Sequence, residues 1–237
     1  MKRRRLGQHY LVDDKVVAEI LQLASIRPSE RVLEIGTGKG VLTQKLAKLG
    51  GAFIGYEIDP ENYEATSKAV SGSRAHIVLA DAFRQDPEFD VLVASLPYSE
   101  SAAFVKWLCS RAFARAIAVL QKDFVEKITT SPGGRDYRGV SALAQIAFEV
   151  RVLAKVGREA FDPQPRVDSV IASFVPRKMV TEEEAGNVMR LFSLRRREVD
   201  SALAELGMGR GVGYGKRRVF SLTPEEVHEL CKPHHRQ

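Results

Sequence analysis

Apolar residues along this chain recur at two different periods, and the switches between them mark out the elements. Behind a polar opening, Val16, Val17, Ile20, Leu21 and Leu23 follow helical spacing, Asp13 or Asp14 can cap that helix, and it runs through Ala24 before Pro28 closes it. A short apolar run ends at Glu34 and passes at once into Gly36, Gly38 and Gly40, after which Val41, Leu42, Leu46 and Leu49 restore a helical pattern. The pattern predicts strand, glycine turn, helix. AFIGYEID alternates as a strand whose end carries Glu57, Pro60 opens a polar helix to about Val70, and AHIVLADAF gives a third strand ending at Asp81. Asp90 to Ala94, within FDVLVASLPYS, reads as a buried fourth strand. A helix with Phe104 and Trp107, the strand AIAVLQ, the helical run SALAQIAFEV and the strands VRVLAKVG and SVIASFVP continue the alternation, with TTSPGGRDYRG as a loop among them. Beyond Arg177 the strands cease. Helical spacing fills EEAGNVMRLFSLRRREVDSALAEL and TPEEVHELCK, the latter opened by a Thr223/Glu226 capping box.

Strands alternating with helices predict an α/β, doubly wound sheet over residues 1–177 and a small helical domain over 178–237. A chain of 237 residues can bury about 70% of its unfolded surface and needs no staples. Cys109 and Cys231 form neither a disulfide framework nor a metal-ligand spacing, which makes a reducing cytoplasm the default expectation. No long apolar segment or signal peptide is visible, so a soluble protein off the membrane is expected. Net charge is +6, with the excess gathered at Lys2 to Arg5, Arg195 to Arg197 and Lys216 to Arg218. Arginine-rich clusters beside a nucleotide-type fold favour a nucleic-acid partner; thermophile-style surface charge is the other reading.

The glycine turn is the chemical centre. Glycines on alternate positions let a ligand lie against main-chain amides at a helix start. A P-loop needs Ser or Thr after Gly-Lys, and Lys39 is followed by Gly40; a dinucleotide fingerprint needs its third glycine at Val41. What remains, E-x-G-x-G-x-G after a strand, is similar to the first motif of class I S-adenosylmethionine methyltransferases. Glu57 stands about 20 residues further on at the tip of the next strand, where an acid faces the ligand crevice and can accept ribose hydroxyls. Asp81 after the third strand suits an adenine amino group. Ser95-Leu96-Pro97-Tyr98 sits at the carboxyl end of the fourth strand, where Pro97 keeps Leu96 out of the helical region.

On these residues the chain resembles the ribosomal RNA adenine dimethyltransferases. The resemblance runs through GQHYL (7–11), EIGTGKGVLT (34–43), YEID (56–59), ADAF (80–83), SLPYS (95–99), LQKDF (120–124), YRGVSALAQ (137–145), FDPQPRVDS (161–169) and LFSLRRREVDSAL (191–203). It implies a Rossmann-like, mostly parallel sheet with an antiparallel edge strand, S-adenosylmethionine as cofactor, and dimethylation of adenosine N6 near the 3′ end of small-subunit ribosomal RNA. The partner it implies is that RNA within a pre-30S-type particle, met by a monomer. His9 and Leu11 would close over the cofactor, with His9 where the family usually has Asn; Gly36 and Gly38 would lie along it, Glu57 would hold the ribose and Asp81 the adenine. Ser95, Leu96, Pro97 and Tyr98 would form the target-base site, with Phe161 covering its other face; Ser95 stands where the family's motif has Asn. The resemblance also covers large-subunit methyltransferases and transcription factors, and an assembly factor with weak or lost activity is the alternative reading.

Overall fold

The described chain, residues 8–208 and 213–233 of this computed structural model, begins with a two-residue strand, β1 (Tyr10–Leu11). The basic cluster Lys2 to Arg5 and Gly7 of the first motif lie outside the described residues. The Asp13 carboxylate accepts from the amides of Lys15 and Val16 and so starts α1 (Asp14–Ala24), which buries Val17, Ile20 and Ala24. β2 (Arg31–Ile35) leads into the glycine turn, followed by α2 (Thr43–Leu46). This helix is shorter than the pattern from Val41 to Leu49 predicts: Leu42 at its start offers no side-chain cap, and Gly50 and Gly51 follow its end.

Next come β3 (Ala52–Glu57), α3 (Pro60–Ala69), β4 (Ala75–Leu79), β5 (Val91–Ser95) and α4 (Ser101–Leu108). Asp59 caps α3 through the amides of Glu61 and Asn62, and Pro60 occupies the first turn, where its missing N–H costs nothing. The chain continues through β6 (Arg115–Gln121), α5 (Lys122–Thr129), α6 (Gly139–Ala147), β7 (Phe148–Val156), β8 (Phe161–Asp162) and β9 (Ser169–Pro176). Phe148 to Val150, expected at the end of a helix, instead open β7, because FEVRVLAKV alternates and is rich in β-formers. α7 (Glu182–Ser193), α8 (Val199–Leu206) and α9 (Pro224–Cys231) follow, the last with the expected Thr223/Glu226 box.

Seven strands form one sheet in the order β4-β3-β2-β5-β6-β9-β7. β2 pairs in parallel with both β3 and β5, β4 continues the parallel half beside β3, and β9 runs antiparallel to β6. The Rossmann-like architecture read from the sequence is the one observed. Strand order reverses between β2 and β5, the switch point at which doubly wound sheets bind ligands. Register aligns the carboxyl ends there: Ile35 pairs with Tyr56 and Ala94, and Glu57 with Leu79.

Contacts group the chain into two units. Of the described residues, the first holds those up to Ser101, Ala112–Lys122 and Arg151–Val175; the second holds Ala102–Arg111, Asp123–Val150 and those from Pro176 on. In the first, Ile20, Val32, Leu46, Val91 and Ile171 belong to one fully buried apolar cluster. In the second, α6, α7 and α9 pack together around Leu143, Val188, Leu191 and Val227. Helices preceding residue 177 therefore share a core with those after it, where the sequence texture suggests a single cut.

Candidate active site

A cavity of about 230 Å³ opens at the carboxyl rim of β2, β3, β4 and β5. His9, Leu11, Gly36, Gly38, Glu57, Asp81, Ser95, Leu96 and Pro97 all line it, so nine of the residues singled out in the sequence converge on one site. Gly36, Gly38 and Gly40 have φ of 78°, 54° and 80°, a conformation that side chains disfavour. A Cβ on Gly36 would sit 3.6 Å from the Ser95 carbonyl oxygen and 3.7 Å from Leu96 Cδ2, filling the space between the turn and the end of β5.

Glu57 is 3% exposed and its carboxylate organises the turn. Oε2 accepts from the Gly38 amide at 2.7 Å, and Oε1 accepts from the amides of Ile58 and Asp59, both at 2.9 Å. Burial raises its pKa against the opposing pull of these amides. A carboxylate has about four acceptor positions. Three are spent on the backbone, which leaves one acceptor position, on Oε2, where the reading from sequence asks for two ribose hydroxyls. Asp81 caps the short turn after β4 through the Phe83 amide at 3.0 Å and lies 3.4 Å from the Arg84 guanidinium.

Tyr98 and Phe161 are not among the cavity-lining residues. Tyr98 is covered by the His9 ring, with centroids 5.5 Å apart and planes inclined by 30°, and its hydroxyl shares a hydrogen bond of 2.6 Å with Ser169. Burial raises the pKa of that phenol. Phe161 is 3% exposed and belongs to the apolar core of the first unit, because β8 pairs with β1 and sets Phe161 opposite Leu11. The expectation that Phe161 covers a target base is not met by this geometry.

Among the other lining residues, Tyr10, Asn62 and Glu34 are given no role by the sequence reading. Tyr10 lies against the turn, its ring 3.2 Å from where a Gly38 Cβ would be, with Lys39 Nζ 4.9 Å from the ring centroid. Asn62 donates to the Tyr10 hydroxyl at 3.2 Å. Glu34, which opens the E-x-G-x-G-x-G motif but is given no role in the site, is fully buried at the cavity wall, where burial first, against the opposing pull of Thr43, and then the Glu57 charge push its pKa up to about 8. Glu34 Oε2 and Thr37 Oγ1 are both buried without a hydrogen-bond partner. Two orphaned polar atoms beside a bare glycine cradle and an acid with a free lone pair suit a nucleoside that also carries an amino-acid moiety, so the donor set fits S-adenosylmethionine.

The second unit has a cleft of its own, lined by Gly133, Gly134, Arg135, Arg138, Arg195, Arg196 and Phe220. Arg195 stacks on Phe220 at 5.6 Å, its Nε is buried without a partner, and burial together with Arg138 and Arg196 lowers its pKa. Arg197 instead pairs with Glu205 at 3.5 Å, and Arg217 forms a two-pronged pair with Glu226 at 2.6 and 2.8 Å. The expected basic clusters are thus divided between cleft and scaffold. Arg135 and Arg138, hidden in a stretch read as plain loop, join the cleft.

A doubly wound sheet whose glycine turn, strand-tip acid and Ser-Leu-Pro-Tyr segment meet at the switch point defines a class I S-adenosylmethionine-dependent methyltransferase. The model of the ribosomal RNA adenine dimethylase family matches residues 1–227, and the chain belongs to that family. It is similar to the probable ribosomal RNA small subunit methyltransferase A of Pyrococcus abyssi, with 32% identity over 95% of this chain and 89% of the relative. Among solved structures it is similar to a dimethyladenosine transferase from Plasmodium falciparum, with TM-score 0.79, 25% identity, and coverage of 94% of this chain and 96% of the other. It is also similar to the 23S rRNA methyltransferase ErmE, with TM-score 0.64, 27% identity, and coverage of 94% and 99%. The protein is an enzyme that uses S-adenosylmethionine to dimethylate adenine in ribosomal RNA. No helix among the described residues is long and apolar enough to cross a membrane.

Proposed function

We propose that this enzyme dimethylates N6 of adenosines near the 3′ end of small-subunit ribosomal RNA, in the cytoplasm, as a monomer acting on a pre-30S-type particle. The observation that carries the reading is the meeting of the Gly36 turn, the Glu57 carboxylate and the Ser95-Leu96-Pro97 segment at one cavity. Similarity to a small-subunit methyltransferase over 95% of the chain favours the small-subunit RNA over the large. Sequence texture marks residues 1–177 as the catalytic part and 178–237 as the part that meets the particle; the arginine cleft draws on both sides of that boundary.

When bound, the cofactor supplies an electrophilic sulfonium methyl group. Gly36 and Gly38 would leave room for it, Glu57 would accept from a ribose hydroxyl, Asp81 would face its adenine, and His9 and Leu11 would wall the opening. The adenine amino nitrogen is a poor nucleophile because its lone pair is delocalised into the ring. The Leu96 carbonyl and the Ser95 hydroxyl oxygen accept from its hydrogens and turn the lone pair toward the methyl group, while Pro97 fixes the backbone that presents them. Tyr98 stacks the extruded base. Orientation carries the reaction, and no strong general base is required.

The test incubates the protein with labelled S-adenosylmethionine and small subunits from a strain lacking this methylation, then digests the RNA. Labelled N6,N6-dimethyladenosine from small subunits supports the reading. Label found in large subunits alone, or binding without transfer, overturns it.

A further inference from the structure

Tyr98 closes the segment assigned to the target base, yet one face of its ring is already taken. The His9 imidazole lies over it at 5.5 Å between centroids and 30° between planes. His9 is anchored where it sits, because Nδ1 donates to the Pro163 carbonyl oxygen at 2.6 Å. Tyr98 is fixed from the other end by its hydroxyl bond to Ser169 at 2.6 Å. A ring pinned at its hydroxyl cannot swing away to free a face, so a base that stacks on that face must displace the imidazole. His9 precedes β1 on the N-terminal arm and also lines the cavity, so it can leave Tyr98 without disturbing the sheet.

We propose that His9 is a positioning residue that gates the target-base site, holding the stacking face of Tyr98 until the extruded adenine replaces it. The inference rests on the target-base reading of Ser95 to Tyr98 given above. The exchange trades one aromatic contact for another, with the His9 to Pro163 hydrogen bond broken in the process. Base capture is therefore weaker in the native protein than on a bare Tyr98 face. Any base unable to stack as well as a purine is rejected by the same competition.

The experiment uses the full chain without cofactor, so that cofactor affinity does not enter, and an RNA hairpin of the small-subunit 3′ end with 2-aminopurine replacing single adenosines. Fluorescence quenching reports stacking of the flipped base, and anisotropy reports RNA binding separately. His9→Ala and His9→Asn should each increase the stacked fraction's equilibrium constant about three- to tenfold, the range of one aromatic contact, at unchanged RNA affinity. His9→Phe, which keeps a ring over Tyr98 but loses the bond to Pro163, should fall between the native protein and His9→Ala. Unchanged or weaker quenching in both His9→Ala and His9→Asn overturns the gate while leaving the target-base reading intact, provided Tyr98→Ala abolishes quenching. Quenching that survives Tyr98→Ala overturns that reading and the gate with it.

Discussion

The Glu57 carboxylate accepts a hydrogen bond from the Gly38 amide at 2.7 Å across nineteen residues of chain, and that bond makes the acid proposed to hold the ribose a structural part of the glycine turn. With Ile58 and Asp59 also donating to it, the side chain holds the shape of the cavity and keeps one acceptor position for the ligand. Glu57→Gln offers one acceptor oxygen and turns an NH₂ group toward backbone N–H donors. We expect it to lose about 1 to 3 kcal/mol of stability and to weaken S-adenosylhomocysteine binding roughly tenfold to a hundredfold. Thermal melting paired with calorimetric titration checks both. Loss of affinity at unchanged melting temperature would mean that the three amides find other partners.

Glu34 supplies a pH prediction. Its folded pKa of about 8 lies above its ordinary value of 4.5, so the folded state holds a proton that the unfolded chain releases between these limits. Stability from this group is present below about pH 4.5 and falls as pH rises through 8, at up to ~1.4 kcal/mol per unit. Glu34→Gln removes the dependence. Urea unfolding at pH 6 and pH 9 should show the variant gaining on the native protein at the higher pH; a constant difference would show that Glu34 is ionised in the native fold.

Much of this architecture was written in local patterns. The Asp13 cap, the helix opening at Pro60, the strand and glycine turn from Arg31 to Gly40, and the apolar run of β5 are short-range signals, and each appears where it was read. The cavity was legible because register at the switch point brings successive strand ends together. What the sequence hid depends on pairing at a distance. Phe161 looked like an open aromatic until the pairing of β8 with β1 turned it into the core. Nothing local marks His9 as the neighbour of Tyr98, or Arg135 as the neighbour of Arg195, since those contacts join loops distant in sequence. Glu34 reads as part of the E-x-G-x-G-x-G motif, but not as a buried acid, because its burial is decided by the strands on either side.

The division of the arginines gives a contrast within one triplet. The Arg196 side chain is exposed, lines the cleft with Arg135, Arg138 and Arg195, and pairs with no carboxylate among the described residues, whereas Arg197 is held by Glu205. Arg196→Gln should weaken small-subunit binding and lower the slope of log affinity against log salt by about 0.7 to 0.9, the value for one phosphate contact. Arg197→Gln should leave that slope unchanged. Equal slopes for both variants would place the RNA contact elsewhere.

Ser95 tests the chemistry itself. It ends β5, paired with Val119, and lines the cavity beside Leu96, whose carbonyl is unaffected by the side chain at 95. An Asn at this position carries a carbonyl acceptor on a longer reach, while a serine hydroxyl oxygen is shorter and must also place its own proton. On the proposed reading, the native enzyme would orient the adenine amino group with one strong acceptor and one weaker one. Where orientation limits the rate, Ser95→Asn should raise single-turnover methyl transfer about tenfold, equivalent to ~1.4 kcal/mol, with little change in RNA affinity. Asparagine also adds bulk at a residue that lines the cavity, so cofactor affinity should be measured alongside. A rate gain at constant affinity supports orientation as the limiting step. A fall in rate at unchanged cofactor and RNA affinity would mean that this cavity is shaped around serine, with the Leu96 carbonyl as its working acceptor.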